Sequence, residues 1–298
     1  MDVVITFVDG NDPLWREDYR RLLDVPAEEK RYRDWGLLRF LFRGIETHMP
    51  FVRKVFLVVS RESQVPAWVD RERVTVVLHE EIIPAEYLPT FNSCTIEMFL
   101  HRIPGLDERY LYFNDDILPM LDCTEEDFFP EGHPATGFTR CMAARSQFLR
   151  HCRNADRLAR QAAGIGPDRG FLRPEHVCSP MLRSACEAAF AAVEPEILAS
   201  LTPLRASNNV NQHFFADYML FTGKALDRRI PKRHFSLAAA SANRICTFVE
   251  DPDRLMVCIN DVKMSPKRFR KLRKRLLSAL ERHFPRRSRF EIQLFYRI

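Results

Sequence analysis

Short apolar runs alternate with longer amphipathic or polar stretches along most of this chain. Val3–Val8, Lys54–Ser60, Arg73–His79, Tyr110–Phe113 and Leu255–Asp261 are rich in β-branched or aromatic residues and end at turn residues, so they predict buried strands. Tyr32–His48 has helical spacing: Leu37, Leu38, Leu41, Phe42 and Ile45 form the apolar stripe, with Arg33, Asp34, Arg39, Arg43 and Glu46 on the polar side. Further helices are expected over Glu17–Lys30, Thr95–Arg102, Ala143–Ala163, Met181–Val193, Phe214–Gly223 and Ser265–His283. Ala135–Arg140 is expected to return to a sheet edge as a strand, with loops over Gly164–Arg173 and Pro174–Pro180. Strands alternating with helices predict the α/β class and a Rossmann-like, mostly parallel sheet. The chain divides on this reading into an α/β half (1–140), a mainly helical insert (141–245), and a last strand with a basic helix (246–298), all in one domain.

The turns that end the strands carry acids. Val8 is followed by Asp9-Gly10, Phe113 by Asn114-Asp115-Asp116, and Ile259 by Asn260-Asp261. Adjacent carboxylates at the end of an apolar strand are costly unless something offsets them. A divalent cation carrying a phosphate would do so, because hard oxygens suit Mg²⁺ or Mn²⁺, and α/β sheets bind ligands beyond the carboxyl ends of their strands. The alternative is an Asx-type turn that caps the next segment. Gly10 permits a positive φ or a close backbone approach. Asn92 and Ser93, ahead of the Thr95 helix, serve either as plain caps or as an anion site at the helix start. Asp34 and Arg39 either face a ligand or form surface ion pairs. Glu97 and His101 share a helical face, but with no third ligand they do not suggest a metal site. His176 sits in a loop, and the amide-rich stretch Leu201–Gln212 holds Arg205 and Asn211.

Composition narrows the class. The 298 residues are 46% hydrophobic and 29% charged, which is globular rather than disordered. No apolar run is long enough for a transmembrane helix, and the first ten residues read as a strand rather than a signal peptide. The eight cysteines contain no Cys-x-x-Cys and are expected to be reduced thiols of a cytoplasmic protein, with a disulfide in a secreted form as the alternative. Net charge is +5, but residues 265–298 alone carry +10. That concentration argues against a nucleic-acid-binding core and for one basic edge. The basic helix either packs on the domain with its charges solvated, or touches an anionic membrane face or a polyanionic acceptor.

Four blocks of this sequence, in order, resemble the Stealth family of sugar-phosphate transferases, which includes bacterial capsular polysaccharide phosphotransferases and the catalytic subunit of animal N-acetylglucosamine-1-phosphotransferase. They are DVVITFVDGNDP at Asp2–Pro13; RYRDWGLLRFLFRGIETHMPFVRKVFLV with LPTFNS, IEMFLHRIPGL and YLYFNDD; HVCSPMLRS with the Arg205 segment; and VCINDV with HFPRRSRFE at His283–Glu291. Phe7 stands where tryptophan is usual, His176-Val177-Cys178 replaces His-x-Pro, Arg205 lacks a second arginine, and Val262 replaces a polar residue.

The resemblance implies a glycosyltransferase-A-like core and transfer of a hexose-1-phosphate from a UDP-sugar to a glycan hydroxyl, with release of UMP. It implies catalytic roles for His176, Arg205, Asp116 and Asp9, and substrate contacts from Asp9, Gly10, Asn92, Ser93, Asn114, Arg39 and Asn211. It further implies Mg²⁺ or Mn²⁺ held by Asp115, Asp116, Asn260 and Asp261. His176 or an aspartate is the general base. The expected setting is capsular or cell-surface polysaccharide synthesis at the inner face of the membrane, with peripheral membrane contact through the basic helix. The rival readings are a metal-dependent glycosyltransferase that releases UDP and a non-catalytic polysaccharide-binding module.

Overall fold

The structure is a computed structural model that describes residues 1–22 and 32–292. In chain order it begins with β1 (Asp2–Thr6), α1 (Pro13–Leu22), α2 (Leu38–His48), β2 (Val55–Val59), β3 (Val74–Leu78) and α3 (Ser93–Glu97). There follow β4 (Arg109–Asn114), β5 (Ile117–Pro119), β6 (Ala135–Thr136), β7 (Phe138–Cys141), α4 (Gln147–Ala162), β8 (Phe171–Pro174) and β9 (Ser179–Leu182). The remainder includes α5 (Arg183–Ala192), α6 (His213–Phe221), β10 (Leu226–Asp227), β11 (Lys232–Ser236), β12 (Met256–Asn260) and the long α7 (Pro266–His283), with further helices, Ala242–Glu250 among them, and helical turns between.

Five strands form the main sheet in the order β3-β2-β1-β4-β9, mostly parallel, as the alternation of elements predicts. Its centre is dry: Val3, Val4, Ile5, Val55, Leu57, Val58, Leu111 and Phe113 are all fully buried. Continuous apolar runs of this kind suit strands covered on both faces. A second sheet, β11-β12-β5, pairs β11 with β12 in parallel and β12 with β5 antiparallel, setting Cys258 opposite Ile117.

The chain divides into two compact units, each discontinuous in sequence. The first comprises Met1–Val4, Val77–Tyr112 and Glu125–Ile230; the second comprises Ile5–Val76, Phe113–Thr124 and Pro231–Ile298. The first unit is built around α4 and α6, with Cys152, Ala155, Leu158, Ala159, Phe214 and Met219 buried between helices and ribbons. In the second, the apolar stripe of α7 (Leu272, Leu276, Ala279 and Leu280) is buried, as its helical spacing predicts.

Several elements differ from the sequence expectation for identifiable reasons. The helix predicted from Tyr32 starts only at Leu38. Gly36 has φ +76°, and its N–H donates to Asp34 Oδ1 at 2.6 Å, an Asx turn that breaks helical geometry ahead of α2. The helix predicted over Thr95–Arg102 is the five-residue α3 followed by a separate 3₁₀ turn, Leu100–Arg102. Ala135–Arg140 is not a strand of the main sheet: β6 pairs with β10 and β7 with β8 in two small ribbons. Residues Ser179–Leu182, assigned from sequence to a loop and helix start, instead form β9, antiparallel to β4 with Ser179 opposite Tyr112. The helix over Glu17–Lys30 is seen as Pro13–Leu22, and the rest of that stretch lies outside the described residues. All eight cysteines are free thiols, and no described helix is long and apolar enough to cross a membrane.

Candidate active site

In the second unit, two acid-bearing turns, at Asp9 and at Asn114–Asp116, and the segment before α2 supply an anionic centre. Asn114, Asp115 and Asp116 follow the buried part of β4 and are half-buried. The turn is held against β12, since Ile259 N–H donates to the Asp116 carbonyl at 2.9 Å and Cys258 Sγ lies 3.7 Å from Asp116 Oδ2. Desolvation pushes the Asp115 carboxyl up to about 8, and the charges of Asp116 and Asp34 add to the rise. Asp34 is also raised, first by desolvation and further by Asp9, against the opposing effect of the Gly36 N–H and the Arg273 guanidinium. Four carboxylates therefore sense one another: Asp9, Asp34, Asp115 and Asp116. Such repulsion is relieved by protonation or by a cation. Asp115 and Asp116 offer hard carboxylate oxygens, which fit Mg²⁺ or Mn²⁺, although the softer Cys258 Sγ stands beside Asp116.

The sequence left Asp34 as either a ligand-facing acid or a member of a surface ion pair; in the structure it closes the Asx turn with Gly36 and its charge acts on Asp115. The clue was local: a glycine two residues after an aspartate marks the Asx turn seen here. Asp261 is differently occupied. Arg33 Nε donates to its Oδ2 at 3.0 Å and Arg33 Nη2 to its Oδ1 at 2.9 Å, so the metal-ligand role expected for Asp261 competes with a closed fork. Neighbouring Asn260 ends β12 half-buried, its carbonyl accepting from Leu237 N–H at 3.1 Å.

The Asp9 turn is an Asx turn, with Asp9 Oδ1 accepting from Asn11 N–H at 2.8 Å. Gly10 is packed against protein rather than opened toward a ligand. A Cβ there would lie 2.4 Å from the Tyr32 carbonyl oxygen, to which Gly10 N–H donates at 2.8 Å. The expected donor contact from Gly10 thus becomes a close backbone approach. Arg39, also expected to touch substrate, instead lies 4.8 Å over the Trp68 ring with Nε 3.4 Å from Glu291.

The first unit carries a second polar group. Asn92 caps α3, accepting from Cys94 N–H at 3.1 Å, and it is 0% exposed. Its Nδ2 donates to the Thr202 carbonyl and to Asn209 Oδ1, each at 3.0 Å. Asn209 in turn donates to the Ser200 carbonyl at 2.6 Å and accepts from Ala206 N–H at 2.7 Å. The expected substrate contact at Asn92 is therefore a structural knot that shapes the loop holding Arg205. Arg205 itself is exposed and donates from Nη2 to Ser93 Oγ at 2.6 Å.

Glu97 is the residue the sequence did not single out for this site. It is buried, and its Oε2 accepts from Gln212 N–H at 3.0 Å. Desolvation raises its pKa, while Gln212 N–H, Arg205, Ser93 and His176 hold the rise in check. Glu97, Ser93, Arg205 and His176 are thus one electrostatic group. Asn211 is buried beside Gln212, and its Oδ1 has no hydrogen-bond partner among the described residues. His101, four residues from Glu97, is a neutral core side chain against Phe190 and Phe215, its pKa lowered by desolvation to about 3.

Comparison with known proteins relates the chain to one family. Residues 31–136 match the family described as Stealth protein CR2, conserved region 2. A capsular polysaccharide phosphotransferase of Actinobacillus suis is 31% identical over 267 residues, covering 81% of this chain and 70% of that protein. A receptor polysaccharide phosphotransferase, WefC, of Streptococcus oralis is 41% identical over 140 residues, covering 44% of this chain and 42% of that one. Among solved structures, the galactosyltransferase LgtC superposes with a TM-score of 0.43 at 12% identity, over 92% of this chain and 95% of that one. On the length and identity of the match to its Actinobacillus relative, the chain belongs to the Stealth family.

Proposed function

We propose that this protein transfers a hexose-1-phosphate from a UDP-sugar to a glycan hydroxyl, releasing UMP and forming a phosphodiester, in the synthesis of a capsular or cell-surface polysaccharide. The observation that carries this reading is the surplus of negative charge around Asp115. A carboxyl pushed up to about 8 by burial, Asp116 and Asp34 is poised for a cation-bound diphosphate. The names of the relatives add the reaction class.

In this reaction the acceptor oxygen attacks the sugar-bearing phosphorus, and the bond from that phosphorus to the oxygen bridging to UMP breaks. The anomeric C–O bond is untouched, so the sugar keeps its configuration. Asp115 and Asp116 would hold the divalent cation, whose charge would offset that of the diphosphate and of the departing UMP. Arg205, placed by Ser93, counters charge on the transferred phosphoryl as a planar fork. His176 takes the acceptor proton, and the buried Glu97 carboxyl steadies both cations. Asn211 Oδ1 receives a sugar hydroxyl.

The experiment is incubation with a panel of UDP-hexoses, an oligosaccharide acceptor and Mg²⁺ or Mn²⁺, with identification of the released nucleotide and phosphorus NMR of the product. UMP with a phosphodiester signal is expected. Release of UDP would instead make the protein a glycosyltransferase, and no turnover under any condition would leave a polysaccharide-binding module.

A further inference from the structure

Helix α7 has two working faces. Its inner stripe is buried, and Arg273 on its flank donates from Nε to the Trp35 carbonyl at 3.1 Å, beside the Asp34 turn whose charge it offsets. Other cations of the helix are engaged locally: Arg268 with the Leu237 carbonyl at 2.8 Å, Arg275 with Asn243 Oδ1 at 2.6 Å, and Arg282 with Glu250. Lys267, Arg270, Lys271 and Lys274 are different. All four are exposed, and none has an acidic or hydrogen-bonding partner among the described residues. Their spacing places them on one arc of about 100°, rising about 10 Å along the helix, or roughly two positive charges per 5 Å turn.

Resting on the proposed transfer reaction, we infer that this stripe is the binding track for the acceptor, and that the acceptor is itself an anionic chain with repeating phosphodiesters. The product of hexose-1-phosphate transfer carries one negative charge per added unit. A linear polyanion of that kind matches a linear row of unneutralised cations, and Arg273 joins the row to the Asp34 turn. A membrane surface fits less well. Membrane-surface helices bury an apolar face in the lipid, whereas the apolar face of α7 is packed inside its own unit. None of the large exposed apolar side chains among the described residues lies on α7.

The test replaces Lys267, Arg270, Lys271 and Lys274 together by glutamine in the full chain, all four being solvent-facing changes. Binding of linear inorganic polyphosphate is measured against salt, with neutral dextran and vesicles of equal anionic and neutral phospholipid as the other probes. With a salt slope of about 0.7 per neutralised charge on a flexible polyanion, the four cations account for about 2.8 in slope. The parent should therefore lose about 50-fold more affinity than the variant between about 50 and 200 mM salt. The variant should also show a raised KM for a phosphodiester-bearing acceptor and an unchanged rate with a short neutral one. Equal affinity and equal slope in the two proteins would overturn the track, as would parent binding to vesicles but not to polyphosphate. Because polyphosphate binding needs no turnover, a failure of UMP release would count against the transfer reaction alone.

Discussion

The Arg33–Asp261 fork decides whether the Asn260-Asp261 turn is a clamp or part of a metal site, and replacing Arg33 by methionine tests it. The side chains are 10% and 13% exposed, and Arg33 Nη2 adds a 2.8 Å contact to Asp261 Oδ2 and a 3.2 Å contact to the Val262 carbonyl. The guanidinium also lies 4.4 Å over the Phe269 ring. An intact buried pair contributes little net stability, but removing one partner strands the other charge at a cost of about 3–5 kcal/mol. Loss of the ring contact adds about 1 kcal/mol. Arg33→Met should therefore cost about 4 kcal/mol, or roughly 10 °C in the thermal midpoint for a unit of this size. The double variant Arg33→Met/Asp261→Leu removes the stranded charge and should recover about half of that loss. Urea and thermal unfolding of the four proteins of the cycle, with and without Mg²⁺, supply the measurement. A coupling near zero would refute the clamp. Asp261→Asn that leaves the metal-free protein intact but abolishes its stabilisation by Mg²⁺ would make Asp261 a metal ligand instead.

Three further outcomes follow from the same geometry. His176→Ala should lower turnover by about 10²–10⁴ with donor affinity nearly unchanged, measured by UMP release and by titration of the UDP-sugar; unimpaired turnover removes His176 from the chemistry. Burial lowers the His101 pKa to about 3, so the unfolded chain, with an ordinary value near 6.5, binds the extra proton first and stability falls as pH drops below 6.5. His101→Phe should thus spare about 2 kcal/mol of that loss at about pH 5, and parallel denaturation curves at pH 7 and 5 for both proteins would reject the idea. Gly10→Ala should displace the Tyr32 carbonyl or the Asp9 turn, because its Cβ would sit 2.4 Å from that oxygen. Lower stability together with weaker Mg²⁺ dependence is expected, and a wild-type thermal midpoint would show that the turn can shift freely.

The strands were readable because each is a compact apolar run with an abrupt polar end. Val3–Val8 and Tyr110–Phe113 needed no partner to be recognised, and the acids that follow them marked the carboxyl edge of a parallel sheet. The stripe on α7 was equally plain, since helical spacing places Leu272, Leu276 and Leu280 on one side whatever they pack against. The capping role of Asn92, whose meaning is local, was legible to the same degree.

Roles set by distant partners were not legible. Asp34 and Arg39 look alike in the sequence, yet the charge of one acts on Asp115 while the other lies on Trp68 beside Glu291. Glu97 became part of a polar group only when Gln212, Arg205 and Ser93 were brought to it, while His101, a turn away, was closed in by two phenylalanines. Asp261, equal in sequence to Asp116 as a strand-ending acid, was claimed by an arginine 228 positions away. Hydrophobic periodicity depends on neighbours within a few residues, so the chain alone determines which segments are strands and helices. Charge neutralisation and desolvation depend on whatever the fold brings within a few ångströms, and only the tertiary structure decides which of several identical carboxylates is closed by an arginine, as Asp261 is, and which is buried among other acids, as Asp115 is.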